Sequence, residues 1–283
     1  MKFNNEWTDY KIIATGDGMK LEKWGGHILL RPDPQVIWPS RMDMYNYKGL
    51  SAIYEKSGGG GGWKYLKLIE DGFTVKWRDL TFSLKLMGFK HTGLFPEQAA
   101  NWDILINLIK TAGKPVNVLN LFGYTGGATV ACVSAGAAVC HVDAARAMVD
   151  RCGENIRLSG LPKDRVRYIV DDCVKFVERE IKRGRKYDAV IMDPPSYGRG
   201  PGGEMWKLED NIYSLVKLTR DVMSDTPLFH LINSYTTGLQ PVVLSNIQSL
   251  VMGGRIEAYE VVLPTDEGIY LPCGCSSIFM GKI

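Results

Sequence analysis

The sequence predicts an α/β protein. A mostly parallel seven-stranded sheet ends in an antiparallel C-terminal hairpin, and a small β-rich lobe over residues 1–90 precedes it. Three observations lead there. From residue 91 onward, apolar strand-like runs alternate with amphipathic helices, and repeated βα units imply a parallel sheet covered on both faces. Two late strand-like segments, residues 257–262 and 276–280, have no helix between them and so should pair antiparallel at an edge. Before residue 90 helical periodicity is scarce, and Trp7, Trp24, Trp38, Trp63 and Trp77, five of the seven tryptophans, fall among short β-type segments.

Bulk properties narrow the class. The 283 residues suffice for one large domain and a smaller partner, with 45% hydrophobic residues to build cores. No run approaches the roughly 18 apolar residues of a spanning helix, and Met1-Lys2-Phe3-Asn4-Asn5-Glu6-Trp7 carries no signal-peptide core, so a cytoplasmic protein with no membrane partner is expected. Cys132, Cys140, Cys152, Cys173, Cys273 and Cys275 are dispersed and read as reduced thiols. Cys273-Gly274-Cys275 has neither a second cysteine pair nor a nearby histidine, so no metal site is expected. The net charge of +3 is only a faint sign of a polyanionic partner, and the oligomeric state stays open, a dimer included.

The elements follow in order. In the lobe, His27-Ile28-Leu29-Leu30-Arg31 and Phe73-Thr74-Val75-Lys76-Trp77 read as strands, Pro32, Pro34 and Pro39 punctuate, and the run from Gly58 to Gly62 reads as a flexible loop. Most of its tryptophans are read as core filler, and its expected role is substrate docking through Arg31, Trp38 and the glycine loop. Beyond it, Trp102, Leu105, Ile106 and Ile109 stand at helical spacing. Strands are expected at 116–122, 138–143, 166–170, 187–192 and 228–233. Helices are expected after the glycine-rich turn at 123–127 and at 146–159, 174–182, 213–223 and 241–252. Ligands of such sheets sit at the carboxyl ends of the strands, here just after Phe122, Asp143, Val170, Met192 and Asn233.

Each strand end carries a motif. Asn120-Leu121-Phe122-Gly123-Tyr124-Thr125-Gly126-Gly127-Ala128 allows close backbone approach and leads into a helix N-terminus that suits an anion. Its G-x-x-G-G spacing departs from the dinucleotide fingerprint G-x-G-x-x-G. Asp143 lies about twenty residues beyond Gly123, where an acid accepts ribose hydroxyls, with Ala144 beside it; a helix N-cap is the plain alternative. Asp171-Asp172-Cys173 offers a carboxylate and a backbone N–H that together match an adenine edge. Either aspartate fits; Asp172 is preferred because Val170 and Asp171 read as the end of the strand, and a cap is again the alternative. Asp193-Pro194-Pro195-Ser196-Tyr197-Gly198 is the most informative. Two prolines fix the backbone and remove two donors, leaving carbonyls beside a carboxylate, and Tyr197 offers a ring for stacking.

These motifs make residues 91–283 resemble the class I S-adenosylmethionine-dependent methyltransferases, with their Rossmann-like fold. Within them they resemble the group that modifies bacterial large-subunit (23S) ribosomal RNA. The resemblance rests on Asn120 to Gly126, on Asp193 to Pro195, on His91-Thr92-Gly93-Leu94-Phe95-Pro96-Glu97-Gln98 before the first long helix, and on Gly268-Ile269-Tyr270-Leu271-Pro272. It implies S-adenosyl-L-methionine as cofactor and an rRNA substrate. Its methionine moiety would lie on the glycine loop, its ribose on Asp143 and its adenine on Asp172 and Cys173, with Phe95 and Gln98 closing over it. The catalytic residues would be Asp193, Pro194, Pro195, Tyr197 and Asn233, with Asp193 also among the residues that contact the cofactor.

One departure from the group matters. Members that make 5-methylcytosine need a cysteine nucleophile after the fifth strand; here that place reads Leu231-Ile232-Asn233-Ser234-Tyr235, and Ser196 follows the prolines. A base nitrogen is therefore the expected acceptor, with Cys273 or Cys275 as a minority alternative nucleophile. The rival readings are a methyltransferase of a protein or small metabolite, an NAD-dependent oxidoreductase, and a non-catalytic RNA-binding protein. The basic run Lys182-Arg183-Gly184-Arg185-Lys186 suits RNA or a solvated helix end equally.

Overall fold

A computed structural model describes residues 1–57, 60–88, 90–199 and 205–281. The chain forms two compact units, one of Lys2–Ala99 with Val262–Cys273, the other of Ala100–Val261 with Met1 and the chain from Gly274. The N-terminal unit thus runs past the expected boundary at residue 90 and includes the turn end of the C-terminal hairpin. The cause is local: Asp266 N–H donates to the Ile12 carbonyl at 2.9 Å, Thr15 N–H donates to Glu267 Oε2 at 2.7 Å, and Lys11 pairs with Asp266 at 2.5 Å.

In the N-terminal unit, strands β1 (Tyr10–Gly16), β2 (Met19–Trp24), β3 (His27–Pro32), β4 (Leu50–Ser57) and β5 (Gly60–Tyr65) form one sheet in that order. All neighbours are antiparallel except β3 and β4, which are parallel. Strands β6 (Phe73–Trp77) and β7 (Leu80–Leu84) form a separate hairpin. The glycine run is not simply a loop: Gly60, Gly61 and Gly62 belong to β5, opposite Ser57, Lys56 and Glu55, while Gly58 and Gly59 lie outside the described residues. A Cβ on Gly61 would sit 2.6 Å from the Tyr54 ring, so a strand position that tolerates no side chain mimicked a linker in the sequence.

Core filling, expected for most of the lobe's tryptophans, holds for the fully buried Trp24 and Trp77, while Trp7, Trp38 and Trp63 are half-buried. The indole N–H groups of Trp38, Trp63 and Trp77 donate internally to Thr15 Oγ1, the Met87 carbonyl and Asn4 Oδ1. Arg31 corrects the docking expectation. Its Nε and Nη2 donate to both oxygens of the buried Glu22 at 2.6 and 2.9 Å, and Nη1 donates to the Lys90 carbonyl at 2.7 Å. Burial pushes the Glu22 carboxyl up, but Arg31 and Lys20 outweigh it and hold it at about 2. A guanidinium committed to a buried partner is not available to a phosphate.

The C-terminal unit follows the predicted alternation. Its strands are β8 (Asn117–Leu121), β9 (Ala138–Asp143), β10 (Val166–Val170), β11 (Ala189–Met192), β14 (Phe229–Ser234), β15 (Arg255–Pro264) and β16 (Tyr270–Met280), and between β11 and β14 lies the small hairpin β12 (Tyr197–Arg199) and β13 (Met205–Lys207). The seven-stranded sheet has the order β10-β9-β8-β11-β14-β16-β15. The first five strands in that order are parallel, and β16 runs antiparallel to β14. The helices are α1 (Ala99–Thr111), α2 (Gly127–Ser134), α3 (Arg146–Leu158), α4 (Cys173–Lys182), α5 (Leu208–Asp221) and α6 (Pro241–Met252). Helix α5 starts earlier than the expected 213, because Leu208 and Ile212 extend its buried stripe through Leu215, Val216 and Thr219. The glycine-rich segment 200–204 lies outside the described residues.

The basic run after α4 has a structural employer. Glu180, whose side chain is fully buried, accepts from Arg167 Nη1 at 3.1 Å, Arg183 Nη1 at 2.9 Å and the Tyr187 hydroxyl at 2.7 Å, with Arg185 Nε at 3.9 Å. Burial alone pushes this carboxyl up; the Tyr187, Arg183 and Arg167 bonds outweigh it and keep it below its ordinary 4.5. A carboxyl depressed in the folded state adds stability above its ordinary value and loses it as pH falls through the folded value. Glu180→Gln is expected to cost about 1–3 kcal/mol at pH 7. In urea unfolding its gap to the wild-type protein should shrink as the pH is taken below 4.5.

Candidate functional site

The site is built from loops leaving the carboxyl ends of the parallel strands. Strand β8 is buried from Val118 to Leu121 and then turns sharply: Phe122 and Tyr124 have φ of 55° and 51°, and Gly126, at 85°, caps α2. Successive left-handed residues are costly unless their surroundings impose them. Here Phe122 N–H donates to Cys173 Sγ at 3.3 Å, Gly123 N–H to the Val142 carbonyl at 3.0 Å, and Tyr124 N–H to Asp143 Oδ2 at 2.9 Å.

Beneath the loop lies a buried polar brace. Asn120 Nδ2 donates to Thr129 Oγ1 at 2.8 Å, and the same hydroxyl is hydrogen-bonded to His141 Nδ1 at 2.9 Å. Burial pushes His141 down to about 4, which keeps the imidazole neutral at physiological pH. The glycines are set by close approach. A Cβ on Gly123 would lie 2.4 Å from the His141 ring, one on Gly126 2.3 Å from Cys152 Sγ, and one on Gly127 2.6 Å from Trp102. The sequence motif flagged this loop for ligand approach; the structure adds that three of its glycines face protein.

Helix α2 begins at Gly127 with no side-chain cap, so its N-terminal N–H groups are not occupied by a capping side chain. Asp143 is not the cap of α3. That position is Ala145, without a capping side chain, and Asp143 spends Oδ1 on the Ala145 N–H and Oδ2 on the Tyr124 N–H, both at 2.9 Å. A carboxylate has about four lone-pair positions. The remaining two on the half-buried Asp143 suit a vicinal diol. Ala144 is exposed beside it.

At the end of β10 the two aspartates divide their duties. Asp171 pairs with Arg179. Asp172 is the N-cap of α4, with Oδ1 accepting from Lys175 N–H at 2.9 Å, so the capping alternative weighed for this residue is realised. Capping occupies Oδ1 only, and Cys173 is the first residue of α4. The Cys173 thiol is buried, held up at about 12 by burial, and lies in the core under the Phe122 loop.

At the end of β11, Pro194 is buried, Asp193 half-buried and Pro195 exposed. Asp193 Oδ1 accepts from Asn233 Nδ2 at 2.9 Å, bringing together two residues the sequence placed at separate strand ends. The proline edge is narrower than expected: Trp206 Nε1 donates to the Pro195 carbonyl at 2.8 Å, and Leu208 N–H to the Ser196 carbonyl at 3.0 Å. Trp206, which belongs to none of the sequence motifs, also stands 6.3 Å from the Phe122 ring. Its signal was a lone tryptophan in the turn region after the proline motif. Tyr197 is 62% exposed on β12. Ser196 Oγ accepts from the Thr236 hydroxyl at 2.7 Å. Phe95 and Gln98 belong to the N-terminal unit, where Phe95 precedes the single turn Pro96–Gln98 and its ring lies 5.6 Å from His91.

A family profile described as S-adenosylmethionine-dependent methyltransferase matches residues 63–244. The chain belongs to this family. Its cofactor is therefore S-adenosylmethionine, and the NAD-dependent reading falls. A solved S-adenosylmethionine-dependent methyltransferase from Agrobacterium tumefaciens superposes with a TM-score of 0.92 at 31% identity, covering 99% of this chain and 92% of that one. A putative S-adenosylmethionine-dependent methyltransferase from Streptococcus mutans shares the fold at TM-score 0.75 and 17% identity, over 97% of this chain and 76% of that one.

Among curated proteins, a putative ribosomal RNA large subunit methyltransferase of Methanocaldococcus jannaschii is 32% identical over 165 residues, 53% of this chain and 40% of its own length. Ribosomal RNA large subunit methyltransferase K of Neisseria meningitidis is 27% identical over 204 residues, 64% of this chain and 53% of its own length. The methyltransferase thus spans about half or less of these relatives. Among the described residues no helix is long and apolar enough to cross a membrane.

The glycine loop yields a test. Gly126→Ala adds a left-handed penalty and an overlap with Cys152, together about 2–4 kcal/mol. Chemical denaturation should register that loss, and calorimetry should show weaker S-adenosylmethionine binding than for the wild type.

Proposed function

We propose that the enzyme methylates a base nitrogen of RNA, with large-subunit rRNA as the substrate. The observation that carries this reading is the Asp193–Asn233 pair at the ends of adjacent parallel strands, backed by a rigid proline pair. It is an acceptor-bearing edge that matches an amine or ring N–H and contains no nucleophile. Asn120, Phe122, Gly123, Tyr124, Thr125, Gly126 and Gly127 form the cradle for the methionine moiety. Asp143 with Ala144 takes the ribose, and Asp172 Oδ2 with the Cys173 N–H reads adenine. The donor set fits such a group: an uncapped helix start for a carboxylate and spare lone pairs on two carboxylates for hydroxyl and amine protons.

When bound, S-adenosylmethionine supplies a methyl group made electrophilic by its sulfonium. The protein's part is positioning and charge complementarity. Asp193 accepts a hydrogen bond from the acceptor amine and steers its lone pair toward the methyl. Asn233 fixes the carboxylate's rotamer. The carbonyl of Pro194 is a second acceptor, and Tyr197 covers the face of an unstacked base. The cytosine-C5 route finds no support in the thiols. Burial raises Cys275 to about 11, and its Sγ donates to the Leu239 carbonyl at 3.0 Å. Burial and Glu97 push Cys273 well up. The rRNA reading draws on the names of the relatives, and a protein or small metabolite acceptor is the alternative outcome of the assay.

Incubation with labelled cofactor and unmodified rRNA, followed by nucleoside analysis, should yield an N-methylated nucleoside; 5-methylcytidine, or label confined to protein, would overturn the proposal. Asp143→Ala is expected to weaken cofactor binding about tenfold to a hundredfold, since bonds to a charged group are worth about 1.5–3 kcal/mol. Asp193→Ala should leave that affinity within a few-fold and abolish most transfer. Calorimetry and steady-state rates separate the two.

A further inference from the structure

We propose that Tyr259, Asn101 and Ser276 are positioning residues that act on Asp193 through a one-way hydrogen-bond relay, an inference resting on the reading of Asp193 as the group that orients the acceptor. The Tyr259 hydroxyl on β15 donates to Asn101 Oδ1 at 2.7 Å; Asn101 Nδ2 on α1 donates to Ser276 Oγ at 3.0 Å. The Ser276 hydroxyl on β16 donates to Asn233 Oδ1 at 2.8 Å; Asn233 Nδ2 on β14 donates to Asp193 Oδ1 at 2.9 Å. Asn233 and Ser276 face one another in the β14–β16 register. All four residues of the relay behind Asp193 are at most 5% exposed.

The direction of the chain follows from chemistry. An ionised carboxylate only accepts, so Asn233 must turn its NH2 to Asp193 and its oxygen away. Ser276 must then donate to that oxygen and accept from Asn101, whose own oxygen is left for a donor. Tyr259 supplies it. Burial and the nearby Glu257 push this phenol well above its ordinary range, so it stays an O–H donor. Every dipole in the chain thus points its positive end at Asp193, and neighbouring bonds polarise one another. Reversing the chain would require both amides to rotate in a packed interior. The relay therefore holds Asp193 as an acceptor in one rotamer.

Such a row of polar groups is not what sheet packing alone selects. Buried amides and hydroxyls cost stability unless every one is bonded, and apolar residues of similar size would fill the same volume. What the row adds is control of the one group exposed at its end. The relay also joins α1, β14 and the parts of β15 and β16 that belong to this unit.

The test separates the relay from the functional reading. Tyr259→Phe removes one oxygen and keeps the ring. In the rRNA methylation assay it should lower kcat about fivefold, equivalent to ~1 kcal/mol at 1.36 kcal/mol per decade, with KM and cofactor affinity within twofold of the wild type. Combined with Asn233→Ala, it should cause no further loss. The second readout needs no substrate: in the NMR spectrum of the full chain, the Asn233 side-chain amide should be protected from exchange. Its resonances should shift in Tyr259→Phe, although three hydrogen bonds lie between the mutation and that amide. An unmoved Asn233 amide, or a Tyr259→Phe loss that adds fully to that of Asn233→Ala, overturns the relay. A wild-type enzyme that transfers nothing to rRNA overturns the RNA proposal instead and leaves the amide measurement to decide the relay.

Discussion

In-register parallel pairing is the constraint on which the site depends. Leu121 pairs with both Val142 and Met192, Met192 with Ile232, and Val170 with Asp143. These pairs bring the last residues of five strands to a common edge, so Phe122, Asp143, Asp171, Asp193 and Asn233 emerge together from segments far apart in sequence. A slip of one residue in any pair would exchange the two faces of that strand. The pairing even outlasts the strands. Gly123 N–H reaches the Val142 carbonyl and Asp171 N–H the Asp143 carbonyl, each at 3.0 Å, so the loops inherit the register of the sheet.

The acids at this edge are economical in a chemical sense. Asp143 braces the Tyr124 turn and its own outgoing loop while keeping lone pairs free, and Asp172 caps α4 with one oxygen only. The choice between helix cap and ligand reader, which the sequence poses as exclusive, is not exclusive for a carboxylate. A bond from a backbone N–H fixes the rotamer of the group, and a fixed rotamer lowers the entropy lost on binding. Bracing by backbone N–H groups is therefore compatible with the ligand roles proposed for these positions.

Much of this was legible in the sequence because it is periodic or local. The alternation of apolar strands and amphipathic helices marks β9, β10 and α6 at their observed ends, and Asp193-Pro194-Pro195 identifies the fourth strand end by covalent restraint alone. What escaped was relational. Gly60–Gly62 looked like a linker because nothing in the sequence reveals the Tyr54 ring that excludes a Cβ from Gly61. Arg31 looked like a docking cation until Glu22 took both ends of its fork. The run 182–186 looked available to RNA, while Arg183 and Arg185 turn toward Glu180. Asn101, Ser276 and Tyr259 carry no motif at all; only the fold places them in line behind Asn233.

The thiols bear on the type of reaction proposed. Activation of a pyrimidine C5 by addition needs a thiolate, which forms where a positive group or helix start stabilises it. Here burial works against that charge throughout, raising Cys140 to about 11, Cys152 and Cys173 to about 12, and Cys132 further still. Cys275, the thiol paired opposite Ser234 at the end of β14, sits in the same apolar cluster and spends its proton on Leu239. An sp2 nitrogen asks for none of this. On the proposed reading its lone pair is aimed at the methyl while its N–H bonds to Asp193, and the proton released after transfer passes by way of that carboxylate to water.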